Sequence, residues 1–323
     1  MKALFLLLAS CMTLAGAQLS YRGEVELASD ITLTSSGDVL SPTFGLNLRT
    51  HLELDYSLAP LDFRVVLDPT LRIAGTSTDT SFIEPGLTEA YALYRLEAID
   101  ISAGLERLPL EKSRLSVPYR LEPLGKTGQP LGLLGVRASI FLDSWRIRPA
   151  FIYRSQDEQL GVVLSVRRDF RNFDLEGQLV YLNSLAAGLG GSGLLGEVII
   201  YGEAWLLTDP LNIRTALGLS GFWGDLLWTL EAAYAPNPLG GKDAYPQLLF
   251  QGSLPQGESG SWELSGGVGL VDSVFVDSST FLANASLSYT FSETDYSLRV
   301  GPSFSYTELA TLYRFRLSIT SYF

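Results

Sequence analysis

The chain has 323 residues, of which 46% are hydrophobic and 18% charged, and its formal net charge is −12. This acidic balance, without a basic cluster, argues against nucleic acid as a partner. The length would allow two ordinary soluble domains, yet no linker, charge run or shift of composition divides it. One large closed sheet is an equally good use of this length, because a barrel wall needs no thick core.

Residues 1–17 have the pattern of a secretory signal peptide. A lysine at position 2 precedes the apolar run Ala3–Ala9, and Ala15-Gly16-Ala17 is a small-x-small cleavage site. We therefore predict Sec-type export and a mature domain of residues 18–323. The alternative is a lipoprotein signal, since Leu8-Ala9-Ser10-Cys11 fits a lipobox. If cleavage follows the small-x-small site, the mature chain has no cysteine and is indifferent to the redox state of its compartment.

From Tyr21 onward, apolar and polar residues alternate in short segments. In the last of them, Leu312–Phe323, most odd-numbered positions are apolar and most even-numbered ones are polar. Side chains alternate faces along a strand, so each such segment predicts a strand with one apolar face. No apolar run after residue 17 approaches the ~20 residues of a transmembrane helix. A membrane protein with this sequence must be a closed barrel, because only helices and closed barrels satisfy their backbone hydrogen bonds in lipid.

The alternation predicts 17 strand segments in chain order. Long and short connections alternate regularly except between Asn183 and Pro236, where one strand is miscounted. The polar stretch Gly75–Gly86 and the Gly-rich stretch Asn183–Gly193 are predicted as loops. Single-chain bacterial barrels have even strand numbers, so we predict 16 strands, with 14 and 18 as alternatives. The segments are 21–27, 44–56, 61–67, 89–96, 99–105, 135–142, 145–154, 160–166, 173–182, 197–206, 212–218, 226–234, 247–254, 262–270, 281–291, 296–306 and 312–323.

The stretch Leu108–Leu131 breaks the alternation. It contains four prolines, and proline removes a hydrogen-bond donor from a strand ladder. A connection this long is usually functional or disordered. We predict a loop over residues 108–131 that is either a constriction inside the barrel or an outward cap.

If the apolar positions face lipid, alternation directs many charged side chains to the barrel interior. The functional interpretation is a water-filled pore, in which arginines contact anionic or hydroxylated groups of polar solutes. The alternative is an ion-pair network that fills and stiffens the barrel. The net charge favours cations and the arginines favour anions, so the preferred ion sign stays open. The predicted pore-lining residues are Arg49, Glu53, Arg64, Arg137, Arg146, Arg148, Arg167, Glu176, Glu203, Arg214, Arg299, Arg314 and Arg316.

No residue pattern supports catalysis, a cofactor or a metal site. His51 is the only histidine, and alternation places it inside, beside Arg49 and Glu53. Outer-membrane barrel enzymes include phospholipases with a Ser/His pair and proteases with an Asp/His pair, where His51 could serve as a base. Neither motif is present, and no nucleophile is identifiable by spacing. We predict no enzyme activity and no cofactor, and the sequence has no His/Cys cluster for a metal.

The signal, the repeated amphipathic strands and the terminal Phe323 together resemble bacterial outer-membrane porin-like β-barrels. The segments Glu89–Tyr94 and Ile99–Arg107, followed by a Pro-rich loop, also resemble porins, where a strand ending Gly-x-x-Arg precedes a loop that enters or caps the pore. The resemblance implies an all-β barrel in outer-membrane lipid of a diderm bacterium, assembled by machinery that binds the C-terminal strand. It also implies passive diffusion of small hydrophilic solutes and often homo-oligomers.

Two alternatives to the channel remain besides a barrel enzyme using His51. One is a structural or adhesive barrel, plugged by its own charge network, which carries no solute. The other is an all-β periplasmic protein, which alkali or salt would extract without detergent.

Overall fold

The structure, a computed structural model, describes residues 18–36, 39–74, 81–108, 110, 112–125, 128–236, 244–272, 279–306 and 311–323. The predicted signal peptide and its cleavage site lie outside the described residues. The regular elements of the described ranges are all strands, and they form one antiparallel sheet. None of the described residues belongs to a helix long and apolar enough to cross a membrane.

The sheet contains 18 strands once interrupted strands are joined. They are β1 (Gln18–Ser36), β2 (Val39–Leu58), β3 (Leu61–Leu67 and Thr70–Ala74), β4 (Phe82–Glu84 and Leu87–Arg95), β5 (Ile99–Glu106), β6 (Leu133–Leu142), β7 (Trp145–Arg154), β8 (Gln159–Asp169), β9 (Phe173–Leu182), β10 (Ser184–Leu195), β11 (Val198–Thr208), β12 (Leu211–Trp223), β13 (Leu226–Pro236), β14 (Ala244–Gln256), β15 (Gly260–Asp272), β16 (Ser279–Ser292), β17 (Tyr296–Tyr306) and β18 (Thr311–Tyr322).

Strands β3 and β4 are each interrupted once. Both halves of β3 pair with β2, and the halves of β4 pair with the matching halves of β3. The interruptions fall at Asp68-Pro69 and Pro85-Gly86, where proline cannot donate to the ladder. Gly86 has a φ of +63°, and a Cβ there would lie 2.0 Å from the Asp68 carbonyl oxygen, so only glycine fits.

The prediction of 16 strands was wrong, because the Gly-rich stretch predicted as a loop forms β10. Glycines have no side chains to alternate, so this strand carries almost no hydrophobic pattern. They instead allow close approach: a Cβ at Gly188 would lie 2.7 Å from the buried ring of Trp205. The loop predicted at 75–86 is also partly strand, since Phe82–Glu84 pairs with β3.

The first and last strands pair with each other and close the sheet into a barrel. Their register runs from Glu24 opposite Tyr322 to Ser35 opposite Thr311. Beyond it, Gly23 and Phe323 exchange two backbone hydrogen bonds of 2.8 and 2.9 Å. A closed sheet leaves no strand edge unpaired, as a structure surrounded by lipid requires.

The two faces of the wall differ in chemistry. Outward positions are apolar and exposed, for example Leu160 at 76%, Phe151 at 69% and Leu217 at 62%. Inward positions carry most of the charged side chains, and Glu176 and Glu231 there are buried. The connections also differ: β2–β3, β6–β7 and β12–β13 are joined at one end by two residues each, whereas residues 107–132 leave from the other end.

The stretch between β5 and β6 folds back inside the barrel. Leu108, Leu110 and Leu121 are buried in one cluster with inward residues of the wall, among them Val180 and Trp205. Tyr119 stacks on Trp205 with 4.3 Å between ring centroids. We call residues 107–132 the inner loop. On this part of the inner wall the inward residues are small or apolar rather than charged, and they cover the apolar side chains of the loop.

Candidate functional site: the inner loop and the cavity beside it

Two buried glutamates of the wall bind the backbone of the inner loop. Glu231 of β13 is 0% exposed. It accepts hydrogen bonds from the backbone N–H groups of Arg114 (2.9 Å), Leu115 (3.1 Å) and Ser116 (2.7 Å), and from the Tyr201 hydroxyl (2.9 Å). Hydrogen bonds to an ionised acceptor are stronger than neutral ones. This carboxylate therefore fixes the loop to β13.

Glu203 of β11 does the same for the preceding residues of the loop. It accepts hydrogen bonds from the backbone N–H of Lys112 (3.2 Å), from the N–H and hydroxyl of Ser113 (N–H at 3.0 Å), and from Trp205 Nε1 (3.1 Å). Together the two glutamates satisfy five consecutive N–H groups of the loop, residues 112–116. A segment rich in proline, which forms few backbone ladders of its own, is thereby held against β11 and β13.

Side chains add further contacts between loop and wall. Lys112 Nζ lies 2.7 Å from Glu176 Oε2, and Arg148 Nη2 lies 2.6 Å from Glu176 Oε1. Arg114 lies over the ring of Tyr201, 5.1 Å from its centroid, and Arg214 Nη1 donates to the Pro118 carbonyl (3.3 Å). Charged residues on this side of the barrel, Glu176 and Arg214 among them, therefore contact the loop directly.

The tyrosine of the inner loop, Tyr119, is partly buried against Trp205. Loss of solvation beside Trp205 raises the pKa of Tyr119 to about 12. The phenol therefore stays protonated at alkaline pH values at which a free tyrosine ionises.

The tip of the inner loop faces a polar cavity of about 490 Å³ on the other side of the barrel. Arginines of β2, β3 and β18 dominate it: Arg316 Nη2 lies 2.9 Å from Glu26 Oε1, and Arg314 Nε donates to Thr32 Oγ1 at 3.2 Å. Four guanidinium groups and two carboxylates share this space. It is lined by Glu26, Asp30, Asn47, Arg49, Thr70, Arg72, Phe82, Arg314, Arg316 and, from the loop, Gly128 and Gln129.

A second cavity, of about 670 Å³, opens towards the short-turn end and is also lined by Arg49. Here His51 lies between two acids, with Nδ1 2.7 Å from Asp68 Oδ1 and Nε2 2.9 Å from Glu53 Oε1. Arg64 Nη2 lies 3.2 Å from the same Glu53 oxygen. Both ring nitrogens are engaged, so the arrangement is a charge network and offers no free base.

The strand register places all 13 predicted pore-lining residues on the inner face. Their surroundings differ, however. Arg49, Arg314 and Arg316 line the polar cavity, while Glu53 and Arg64 surround His51. Glu176, Glu203 and Arg214 contact the inner loop, and Arg148 pairs with Glu176. The others lie elsewhere on the wall: Arg137 pairs with Glu106, Arg146 lies over Phe141, Arg167 pairs with Asp169 and Asp174, and Arg299 pairs with Glu263.

Some residues that line the polar cavity are not among the predicted pore-lining residues. Arg72 belongs to the second half of β3, beyond the interruption at Pro69, and continuing the alternation across that proline would have found it. Gly128 and Gln129 carry no signal of their own, since their position depends on how the loop folds. The described residues include no group of three or more histidines, cysteines or acids that could hold a metal ion.

Solved structures with a similar fold are known. No protein-family model matches the sequence, and no curated protein matches it. OpdQ of Pseudomonas aeruginosa aligns with a TM-score of 0.65 and 10% identity over 94% of this chain and 99% of that chain. The outer-membrane protein OprD of the same organism aligns with a TM-score of 0.60 and 10% identity over 94% of each chain. The fold is that of a porin.

A third similar structure contains a ligand. OccK2 (OpdF) of Pseudomonas aeruginosa, solved in complex with glucuronate, aligns with a TM-score of 0.63 and 8% identity over 94% of this chain and 96% of that chain. At sequence identities this low, the similarity supports a shared fold only. The predicted porin-like barrel is confirmed at that level.

Proposed function

We propose that the protein is an outer-membrane channel for passive diffusion of small hydrophilic solutes. The observation that carries this proposal is the polar cavity between the arginines of β2, β3 and β18 and the tip of the inner loop. The apolar outer face fits lipid, and the charged inner face fits water. The inner loop acts in this proposal as the constriction, held to one side by Glu203 and Glu231, so that solutes pass on the arginine side.

The arginine-rich wall favours solutes with carboxylate and hydroxyl groups. Guanidinium groups bind carboxylates with two parallel hydrogen bonds and also donate to hydroxyls. Glucuronate, the ligand of a protein with the same fold, is a sugar acid with both groups. Four arginines against two acids, Glu26 and Asp30, leave this wall of the cavity with a net positive charge, which attracts anionic solutes.

The same proposal places the protein in the outer membrane of a diderm bacterium after Sec-type export. The assembly machinery would bind β18 and the terminal Phe323. In support, β18 completes the barrel by pairing with β1.

The test is single-channel conductance of refolded protein in a planar bilayer under a salt gradient. Folding is first verified by heat-modifiable gel mobility. We expect steady current steps, and the reversal potential gives the preferred ion sign. Addition of glucuronate should reduce the steady current if the sugar acid occupies the cavity, whereas glucose, which lacks the carboxylate, should reduce it less.

A plugged structural barrel is the second candidate, and the extensive anchoring of the inner loop favours it. The absence of current steps from protein that is shown to be folded would support the plugged barrel and contradict the channel. A barrel enzyme using His51 is a weaker candidate, since Asp68 and Glu53 engage both nitrogens of the imidazole. A His51→Ala variant that keeps every measurable property of the wild type would remove it.

A further inference from the structure

One charged residue of the barrel wall faces outward. In β8, Val163, Ser165 and Arg167 have inward positions, so Arg168 lies on the apolar face. Its register partners, Trp145 on β7 and Leu175 on β9, are likewise outward and exposed. Among the strand residues whose side chains the structure describes, no other charged residue has an outward position. A charge on the lipid face is costly at the membrane centre and cheap near the interface, and Arg168 lies at the short-turn end.

Aromatic rings surround this arginine. Its guanidinium lies 4.8 Å from the centroid of Trp145 and 4.7 Å from that of Phe170. Phe170 in turn stacks on Phe173 at 4.3 Å. Rings cover a guanidinium on its flat faces, so the N–H groups at its edge stay available for a ligand. We call Trp145, Arg168, Phe170, Arg171 and Phe173 the outer cluster.

Among the described residues, the arginines of the outer cluster have no acidic partner. The neighbouring Arg167 points inward and is paired with Asp169 (2.7 Å) and Asp174 (3.4 Å). Within the part of the chain that the structure describes, neither Arg168 nor Arg171 forms an ion pair. Arg171 is exposed in the turn that joins β8 to β9, three residues from Arg168. Arg168 and three rings thus form one patch at the edge of the apolar face, and Arg171 lies in the adjoining turn.

We propose that the outer cluster binds the phosphate of an anionic phospholipid in the leaflet at the short-turn end. This inference rests on the proposed membrane location. Arginine is well suited to phosphate because its planar fork donates two parallel hydrogen bonds. Tryptophan and other aromatic rings favour the depth at which lipid headgroups lie. The phosphate accepts from Arg168, the positive charge of Arg171 in the adjoining turn adds to the attraction, and the acyl chains cover Leu175 and the rings.

The experiment is native mass spectrometry of the folded, detergent-solubilised full chain titrated with phosphatidylglycerol. The variants are Arg168→Gln, Arg171→Gln and both together. Arg95→Gln is the matched control, because Arg95 is exposed at the same end of the barrel but faces inward and pairs with Asp62 at 2.7 Å. Each outer arginine contributes about fivefold to lipid affinity at a membrane surface. We expect about fivefold weaker retention of one lipid in each single variant and wild-type retention in Arg95→Gln.

Two further probes identify the ligand group and its source. Diacylglycerol has the same tails and no phosphate, so its retention should be equal in all variants. Inorganic phosphate at equal concentration should not displace the lipid. Equal phosphatidylglycerol retention in wild type and double variant would overturn the proposal, and so would a parallel loss of diacylglycerol or displacement by inorganic phosphate.

The conductance of the same preparations separates this proposal from the channel. Arg168 lies outside the lumen, so the Arg168→Gln variant should conduct like wild type. Normal conductance without a difference in lipid retention removes the lipid site alone. If the folded protein gives no current but the variants still retain less phosphatidylglycerol than wild type, the channel proposal is refuted and the lipid site is supported.

Discussion

Replacing Glu231 with glutamine tests whether the inner loop controls the channel. Glu231 Oε2 accepts from Arg114, Leu115 and Tyr201, and Oε1 accepts from Ser116. In the amide, one of these oxygens becomes an NH₂ group that faces a donor. At least one buried N–H then loses its acceptor, which costs about 1–3 kcal/mol, and the other hydrogen bonds lose the ionic contribution. We expect the loop to be held less tightly by about 2–3 kcal/mol.

That loss raises the population of the undocked loop about 30- to 150-fold, because 1.4 kcal/mol is a factor of ten in an equilibrium constant. The assay is single-channel recording, where Glu231→Gln should show larger or noisier current steps than wild type. The barrel's thermal transition should change little, since the inter-strand ladder is untouched. Glu263→Gln is the control, because Glu263 also faces inward on the wall but pairs with Arg299 and does not contact the loop. Identical current traces in wild type and Glu231→Gln, or an equal change in the control, would refute the reasoning.

Three more predictions concern other parts of the barrel. Gly188→Ala brings a Cβ to 2.7 Å from a buried tryptophan ring, so it should destabilise the barrel by about 1–3 kcal/mol in thermal unfolding; Gly177→Ala, with nothing within 4 Å, should be close to neutral. Arg316→Gln removes a positive charge worth about 0.8 kcal/mol to an ion ~5 Å away in water, so the reversal potential should shift towards cations; an unchanged potential would mean that ions do not pass this wall. The hydrogen bond from Arg154 holds the pKa of Asp157, in the β7–β8 turn, below its usual value. The ionised carboxylate therefore stabilises the folded turn at pH values above its pKa in the unfolded chain, and this stabilisation is lost as the pH falls through its pKa in the folded protein. Hydrogen exchange of the turn should be faster in Asp157→Asn than in wild type at pH 7, and the two rates should be equal in strong acid.

Hydrophobic alternation predicted most strands of the wall. Strands such as Trp145–Arg154 and Phe173–Leu182 were located with their bounds, because each residue there reports which face it occupies. The same logic failed at Ser184–Leu195, where glycines at positions 188, 190, 191 and 193 leave no alternation to read. The glycines leave space for Trp205 and for the inner loop. Because those groups lie elsewhere in the chain, the local sequence of the strand does not reveal why glycine is required.

The anchoring of the inner loop could not be predicted from the sequence. The prolines of Leu108–Leu131 indicated an irregular segment, but its partners Glu203 and Glu231 lie about 90 and 115 residues away in the chain. The donors are backbone N–H groups, which every residue but proline has, so no residue type marks the contact. Arg168 is a different case, since extending the alternation of β8 past the predicted end at residue 166 would have placed it on the opposite face to Arg167.

The pairing of β1 with β18 has a consequence for how the chain folds. Contacts such as Leu27 with Ile319 join residues separated by almost the whole sequence. Chain-closure entropy must be overcome before such contacts contribute, so the final seam is the slowest to form and no stable ring precedes synthesis of the last strand. Truncation before Thr311 would therefore not shorten the barrel by one strand in a graded way. It would expose two open edges, and aggregation through those edges is the expected fate of the truncated chain.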